Sequence, residues 1–377
     1  MSESEGRENR APIPWIDLKR QYASMKDEID AAVHRVIDSG WFVGGPETRA
    51  FESEWASYCG VGHCVALGSG TASLNLTLRA LGIGPGDEVI TVAFTLSATL
   101  DAILETGARP VLVDVDPVTY TMDASQVEKA ITARTRALLP VHIYGHPADM
   151  DALNAIAARH SLPVVADACE AHGARYRGQP VTELATASCF SFYPTKNFNA
   201  LGDAGGVVTN DATLAERLQQ LRNHGWDRRF HSAVSSMNSR MDEIHAAVLR
   251  TKLSRLDGWN ARRAEIARRY ASALAGTNVA AAPAAEWATP SFYLYVVRTQ
   301  RREALRVALK DAGIGSDVHW PEPPHLQPAF ADLGYGRGSL PVTERLCDEV
   351  VTIPMFPELT DQEVGRVCET LHAFGSH

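Results

Sequence analysis

Between about residue 62 and residue 167, short apolar runs alternate with helix-compatible stretches, and that alternation constrains the fold more than any other feature. His63–Leu67, Glu88–Val92, Arg109–Asp114, Arg136–Val141 and Leu162–Ala166 read as strands. After the first, Gly68-Ser-Gly-Thr-Ala-Ser73 turns into a helix whose Leu74, Leu78 and Leu81 share a face, and Gly84-Pro-Gly-Asp87 makes a turn before the second. Strands alternating with helices imply βαβ units and a mainly parallel sheet buried on both faces.

Around residue 240 the texture changes. Met241, Ile244, Val248 and Leu253 fall near helical spacing, and the arginine-rich stretch to Tyr270 continues as a long, partly exposed helix. Ala280–Pro290 reads as a connector, and Tyr293–Arg298, Arg302–Ala312 and Val351–Pro354 predict a smaller α+β unit. The expected fold is therefore α/β, with a large domain over 11–255 carrying a mainly parallel mixed sheet and a small C-terminal α+β domain over 256–377. The N-terminal segment, through a helix over Gln21–Ser39, is expected to pack on the small domain or to span the two.

A length of 377 residues fits about two domains. A net charge of −9 with no long basic run argues against nucleic-acid binding. The cysteines at 59, 64, 169, 189, 347 and 368 lack zinc-ligand spacing and predict reduced thiols in a cytoplasmic protein. Met1–Arg10 is polar with no apolar signal core, and no run reaches membrane-spanning length.

Chemistry concentrates around Lys196. A strand-like run, Ala187–Tyr193, leads to Pro194 and the lysine. Gly202, Gly205 and Gly206 follow, then the β-branched Val207-Val208-Thr209. A lysine on a turn between buried strands is poorly placed as solvated filler. Burial is expected to lower its pKa and expose a neutral amine able to hold an aldehyde as a Schiff base. Gly68–Ser73, at a helix start, offers free backbone N–H groups to a phosphate, or is a plain capped turn; alone it fits both. Asp167 ends a predicted buried strand, at the edge where ligands gather in open α/β sheets, or is a turn or capping aspartate. His172, five residues further on, reads as a hydrogen-bonded structural histidine. Together, an anion site, a carboxylate and an amine meet the needs of pyridoxal 5'-phosphate. The dinucleotide and P-loop glycine fingerprints are missing, which disfavours a nicotinamide dehydrogenase.

The stretches Gly68–Ser73, Gly84–Val89, Gly107–Pro110, Pro140–Gly145, Asp167–Ala174, Ser191–Gly206, Asn238–Glu243 and Leu340–Glu344 resemble, in order along nearly the whole chain, the nucleotide-sugar aminotransferases of DegT/DnrJ type, a branch of the fold-type I pyridoxal-phosphate enzymes. The resemblance implies that Lys196 is the Schiff-base lysine and Asp167 the partner of the pyridine nitrogen. It places Gly70, Thr71 and Ser191 on the phosphate, and Glu170 near the cofactor ring where relatives often carry Gln or His. Asn238 resembles an asparagine that reaches the phosphate from the neighbouring subunit, implying a homodimer with shared active sites; it can also be read as a helix cap before Met241.

An amino donor, L-glutamate, and a keto-sugar nucleotide, by preference a dTDP-3-keto-6-deoxyhexose, are the implied substrates, with 4-keto sugars and aminocyclitols as alternatives. Arg222, His224, Arg228 and Arg229 form a local basic cluster suited to the diphosphate or to a solvated helix end, and His319 is a further substrate candidate. A sugar dehydratase of the same family is disfavoured because such relatives commonly carry histidine in place of the lysine. An intact Lys196, Asp167 and Asn238 disfavour a non-catalytic regulatory relative. Two departures bear on substrate recognition. Leu96 stands where relatives often place an aromatic residue, so that either Phe94 substitutes or an aliphatic group packs the ring; and Ser291–Tyr295 lacks a histidine that many relatives carry.

Overall fold

A computed structural model describes residues 11–281 and 284–376. The polar N-terminal stretch to Arg10 and two residues of the expected connector, Ala282 and Pro283, lie outside the described residues. The apolar runs form the expected strands. Arg109–Val113, Glu88–Val92 and Thr135–Leu138 pair in parallel. Parallel bridges from Leu138 to Val164 and from Val141 to Asp167 join them to a second group, ordered Val165–Asp167, Ala187–Ser191, Gly205–Thr209, His63–Leu67. Val165–Asp167 runs parallel to Ala187–Ser191.

Gly205–Thr209 is the exception, antiparallel to both of its neighbours. A parallel partner needs a crossover of a dozen or more residues, usually a helix, whereas an antiparallel one returns through a loop. No helix separates Ser191 from Gly205, so the loop between them, which carries Lys196, stays at one end of the sheet.

Two cores form. The larger buries the sheet with Leu74, Leu78, Leu153, Leu218 and Leu249 of the flanking helices. The second surrounds the antiparallel strands Tyr295–Arg298 and Val350–Ile353 with Ile266, Tyr270, Leu305, Leu309, Val364 and Leu371. The N-terminal segment touches both, Trp15 packing on the larger, and joins a small cluster besides. Ile13 pairs with Ile314 and enters the second core, while Ile29 packs on Val248 of the Glu243–Leu253 helix.

The single helix expected over Gln21–Ser39 is two, Leu18–Ser24 and Lys26–Ser39. Asp17 caps the first by accepting from Lys19 N and Arg20 N, and Met25 leaves helical geometry (φ −134°) as its side chain buries with Ile29 and Val248. Part of the expected connector is also strand, with Ala280–Ala281 on Tyr295–Arg298 and Ala288–Thr289 on Arg175–Tyr176.

Candidate active site

A cleft of about 490 Å³ opens at the carboxyl ends of the parallel strands and brings together Gly70, Thr71, Asp167, Glu170, Ser191, Lys196 and His319. Each side chain arrives by a traceable local cause. Ser69 caps the Gly70–Ala80 helix, its Oγ accepting from Ala72 N, which leaves the first N–H groups of that helix facing the cleft as an anion site. A Cβ on Gly70 would lie 2.7 Å from Ser191 Cβ and 2.9 Å from Cys169 Sγ, so only glycine lets the helix start sit against the Ser191 hydroxyl.

Asp167 ends its strand, buried, with Thr99 Oγ1 donating to Oδ2 at 2.9 Å and Cys169 N donating to Oδ1 at 3.2 Å. Burial raises its carboxyl above the ordinary value, and those hydrogen bonds only partly oppose the shift. A protonated ring nitrogen facing it would offset that cost. The carboxylate, the amine and the anion cradle thus fit pyridoxal phosphate, and their chemistry is what that cofactor's ring nitrogen, aldehyde and phosphate require.

Lys196 departs from the sequence expectation. Burial does act to lower its pKa, but Glu170 Oε1 lies 3.1 Å from Nζ and the Tyr293 ring centroid 4.0 Å away. These neighbours, with Cys169, outweigh burial and raise it above the ordinary lysine value. The Glu170 carboxylate is itself fixed: Tyr144, at a positive φ of 57°, donates its N–H to Oε2 at 2.7 Å. Glu170→Gln is therefore expected to bring Lys196 of the cofactor-free protein to its neutral form at lower pH, by at least about one pH unit. The pH dependence of Lys196 acylation, read by peptide mass, checks this; an unchanged profile would mean that Glu170 does not hold the ammonium.

The loop is anchored from beneath. Asn197 Nδ2 donates to Ser291 O at 2.7 Å, and the buried Lys252 donates to Asn199 Oδ1 at 2.7 Å, Asn199 O at 3.0 Å and Gln21 Oε1 at 3.2 Å. Burial brings Lys252 down to about 8.

The other candidates lie elsewhere. Asn238 is exposed in an adjacent groove of about 540 Å³, with Ser69 and Asp203 common to both walls. It does not cap the following helix, whose N-cap is Asp242. Arg222 turns inward to Glu52 Oε1 and Ala66 O. His224 packs on Trp226, and Arg228 and Arg229 are exposed on a hairpin with Phe230 near its tip. The four basic residues therefore make no single patch.

His172 is buried among Trp55, Phe190, Phe192 and Phe198, outside the cleft lining, as a structural histidine with the Ser191 backbone as its hydrogen-bonding neighbour. Leu96, 49% exposed, lines the cleft, whereas Phe94 is fully buried against Tyr120 and Tyr144 and does not take its place. Sequence reading assigned no role to Tyr293, whose ring packs on Lys196 and whose hydroxyl lies 3.1 Å from Thr195 Oγ1; the missing histidine of that segment was the one signal pointing to it. Thr99, Trp15 and Trp320 had none.

An amine and a carboxylate that share one strand edge with a helix start, beside a second, smaller core, are the architecture of a fold-type I aminotransferase. The chain belongs to the DegT/DnrJ/EryC1/StrS aminotransferase family, whose profile matches residues 23–372. It is 48% identical over 362 residues to the "Erythromycin biosynthesis sensory transduction protein EryC1" of Saccharopolyspora erythraea, covering 96% of this chain and 99% of that protein. It is likewise 48% identical over 360 residues to the dTDP-3-amino-3,4,6-trideoxy-alpha-D-glucose transaminase of Streptomyces venezuelae, covering 95% of each. The crystal structure of S. venezuelae DesV in complex with a ketimine intermediate superposes with a TM-score of 0.96 at 46% identity, covering 98% of this chain and all of that one. Among the described residues no helix is long and apolar enough to cross a membrane, and all six cysteines are free.

Proposed function

We propose that this protein is a pyridoxal-phosphate-dependent aminotransferase that moves an amino group from L-glutamate to a keto-sugar nucleotide, with a dTDP-linked 3-keto-6-deoxyhexose as the expected acceptor. The observation that carries this reading is the convergence of Lys196, Asp167 and the Gly70–Thr71 helix start on one cleft. The S. venezuelae transaminase, named for a dTDP-3-amino sugar, supports the choice of acceptor.

When bound, the cofactor supplies a conjugated ring that takes up the electron pair left as the donor loses its Cα proton. The chain's own groups do the rest. The Gly70 and Thr71 N–H groups and the Ser191 hydroxyl bind the phosphate. Asp167 holds a proton on the ring nitrogen. Lys196, as free amine, would carry the proton away from the donor's Cα and, in the second half-reaction, give one to the sugar carbon that gains the amine. Glu170 and Tyr293 hold its ammonium form in place between these transfers.

Asn238 is exposed in the groove beside its own chain's cleft and is not part of that cleft's lining, which fits a role at the cleft of a second copy in a cytoplasmic homodimer with shared sites. Arg228 and Arg229, exposed on their hairpin, are the proposed diphosphate contacts. EryC1 is named for sensory transduction, but a regulatory scaffold has no need of a lysine, a buried aspartate and an anion cradle on one cleft. Keto-sugar nucleotides of the dTDP and UDP series, screened with L-glutamate, should yield a product in which an amine replaces the keto oxygen, with the amine at C3 by NMR. A product that has lost oxygen without gaining nitrogen would make the protein a dehydratase. No product from any of them would sink the reading.

A further inference from the structure

We propose that Trp15, His319 and Trp320 form an aromatic wall that stacks on the pyranose ring of the sugar nucleotide, making this face of the cleft its sugar subsite. The proposal rests on the functional reading above and assigns the part of the substrate that this wall receives. All three side chains line the cleft that holds Lys196. The rings of Trp15 and His319 are 5.4 Å apart at 56°, and those of His319 and Trp320 are 5.3 Å apart at 85°.

The wall is built from distant parts of the chain and is locked. Ile13 N donates to Gly313 O at 2.9 Å, Gly315 N to Ile13 O at 2.7 Å, and Met355 N to Trp15 O at 3.4 Å. This approach requires glycine at 315, because a Cβ there would stand 2.9 Å from Trp15 N and 3.2 Å from Ile13 O. His319 is held at both ends: its Nδ1 lies 2.9 Å from Thr352 Oγ1, and Tyr144 OH donates to its carbonyl. The N-terminal segment and the strand Val350–Ile353 therefore hold the Trp15 backbone and the His319 ring in place before any ligand arrives, while Trp15 and Trp320 pack against the larger core.

The chemistry of the wall selects among the fragments that must enter. Glutamate brings two carboxylates and the nucleotide brings a diphosphate, and both call for cations. Among the described residues lining the cleft, Lys196 and His319 are the only basic ones, and Lys196 is already paired with Glu170. Burial lowers the His319 pKa and favours its neutral form. A neutral aromatic surface instead suits the C–H face of a deoxyhexose, which buries apolar area against the rings while its hydroxyls stay free for the polar groups opposite. The keto carbon must also come within reach of Lys196, and this wall flanks that point.

The test compares Trp320→Leu and Trp15→Leu with Trp320→Phe and Trp15→Phe in the holoenzyme, using dTDP-3-keto-6-deoxyglucose, or the corresponding UDP sugar if the wild type turns that over faster. Each leucine variant should raise the KM for the sugar nucleotide at least about tenfold, equivalent to about 1.4 kcal/mol. The phenylalanine variants should return it to within about threefold of wild type. Binding of the nucleoside diphosphate alone and the rate of the glutamate half-reaction should each change by less than about threefold, and thermal unfolding of each variant shows that the fold is kept. Equal losses for the diphosphate would place the base on the wall, and a loss confined to the glutamate half-reaction would place the donor there; either overturns the proposal. So does an unchanged sugar KM in an active enzyme. A wild type that aminates no sugar nucleotide sinks the functional reading instead.

Discussion

Lys196→Ala is expected to lower turnover by more than about 10³-fold and to leave no cofactor covalently attached after borohydride reduction. No other lysine lines the cleft among the described residues, so neither the bond to the cofactor nor the proton transfer has a substitute amine. The loss should not come from unfolding. Asn197 and Asn199, not Lys196, tie the loop to Ser291 and Lys252. The alanine does leave Glu170 buried without its cation, which costs some stability. Lys196→Arg separates the two effects: a guanidinium keeps positive charge beside Glu170 but does not become a free amine at working pH. It should be as inactive as alanine while unfolding nearer the wild-type temperature. An added small primary amine should restore part of the proton transfer in the alanine variant and none in the arginine variant, whose cavity is filled. Either variant transaminating near the wild-type rate would remove Lys196 from the mechanism.

The sheet and the ends of its strands were legible because parallel strands buried on both faces leave near-continuous apolar runs, and a ligand edge follows from their direction. Asp167 could be placed in this way from Leu162–Ala166 alone. Lys196 could be placed on its loop, but not its protonation, because the groups that set its charge, Glu170 and Tyr293, come from separate segments. The basic cluster shows the opposite failure. Arg222 and Arg228 are close in sequence, yet one turns inward to Glu52 and the other projects on a hairpin, because a helix end and a strand pair diverge within a few residues. The break at Met25 escaped periodicity because the buried positions Gln21, Met25, Ile29, Ala32 and Val36 keep helical spacing straight across it. Asn238 stayed ambiguous for a different reason: the cleft it is proposed to serve belongs to a second copy.

Asp167→Asn is expected to cut turnover by about 10²-fold or more, and to do so without destabilising the cofactor-free protein. The amide is nearly isosteric: its oxygen can still accept from Cys169 N, and its NH2 can donate to the Thr99 hydroxyl, which turns its own proton to Thr95, so the geometry survives. What it loses is charge. An asparagine cannot keep a proton on the ring nitrogen, and a neutral ring takes up the donor's electron pair far less well. The stability arm has a definite sign. Burial raises the Asp167 pKa in the folded chain above its unfolded value, so the folded protein holds that proton more tightly. Its ionisation therefore penalises folding, and the penalty is fully present once the pH exceeds the folded value. Asparagine carries no such penalty, so the cofactor-free variant should unfold at or slightly above the wild-type temperature near neutral pH. The wild type should close that gap as the pH falls through the carboxylate range. With cofactor added the order should reverse, because only the aspartate gains a cationic partner in the site. An asparagine variant with wild-type turnover, or one that binds the cofactor as tightly as the aspartate does, would show that this carboxylate does not face the ring nitrogen.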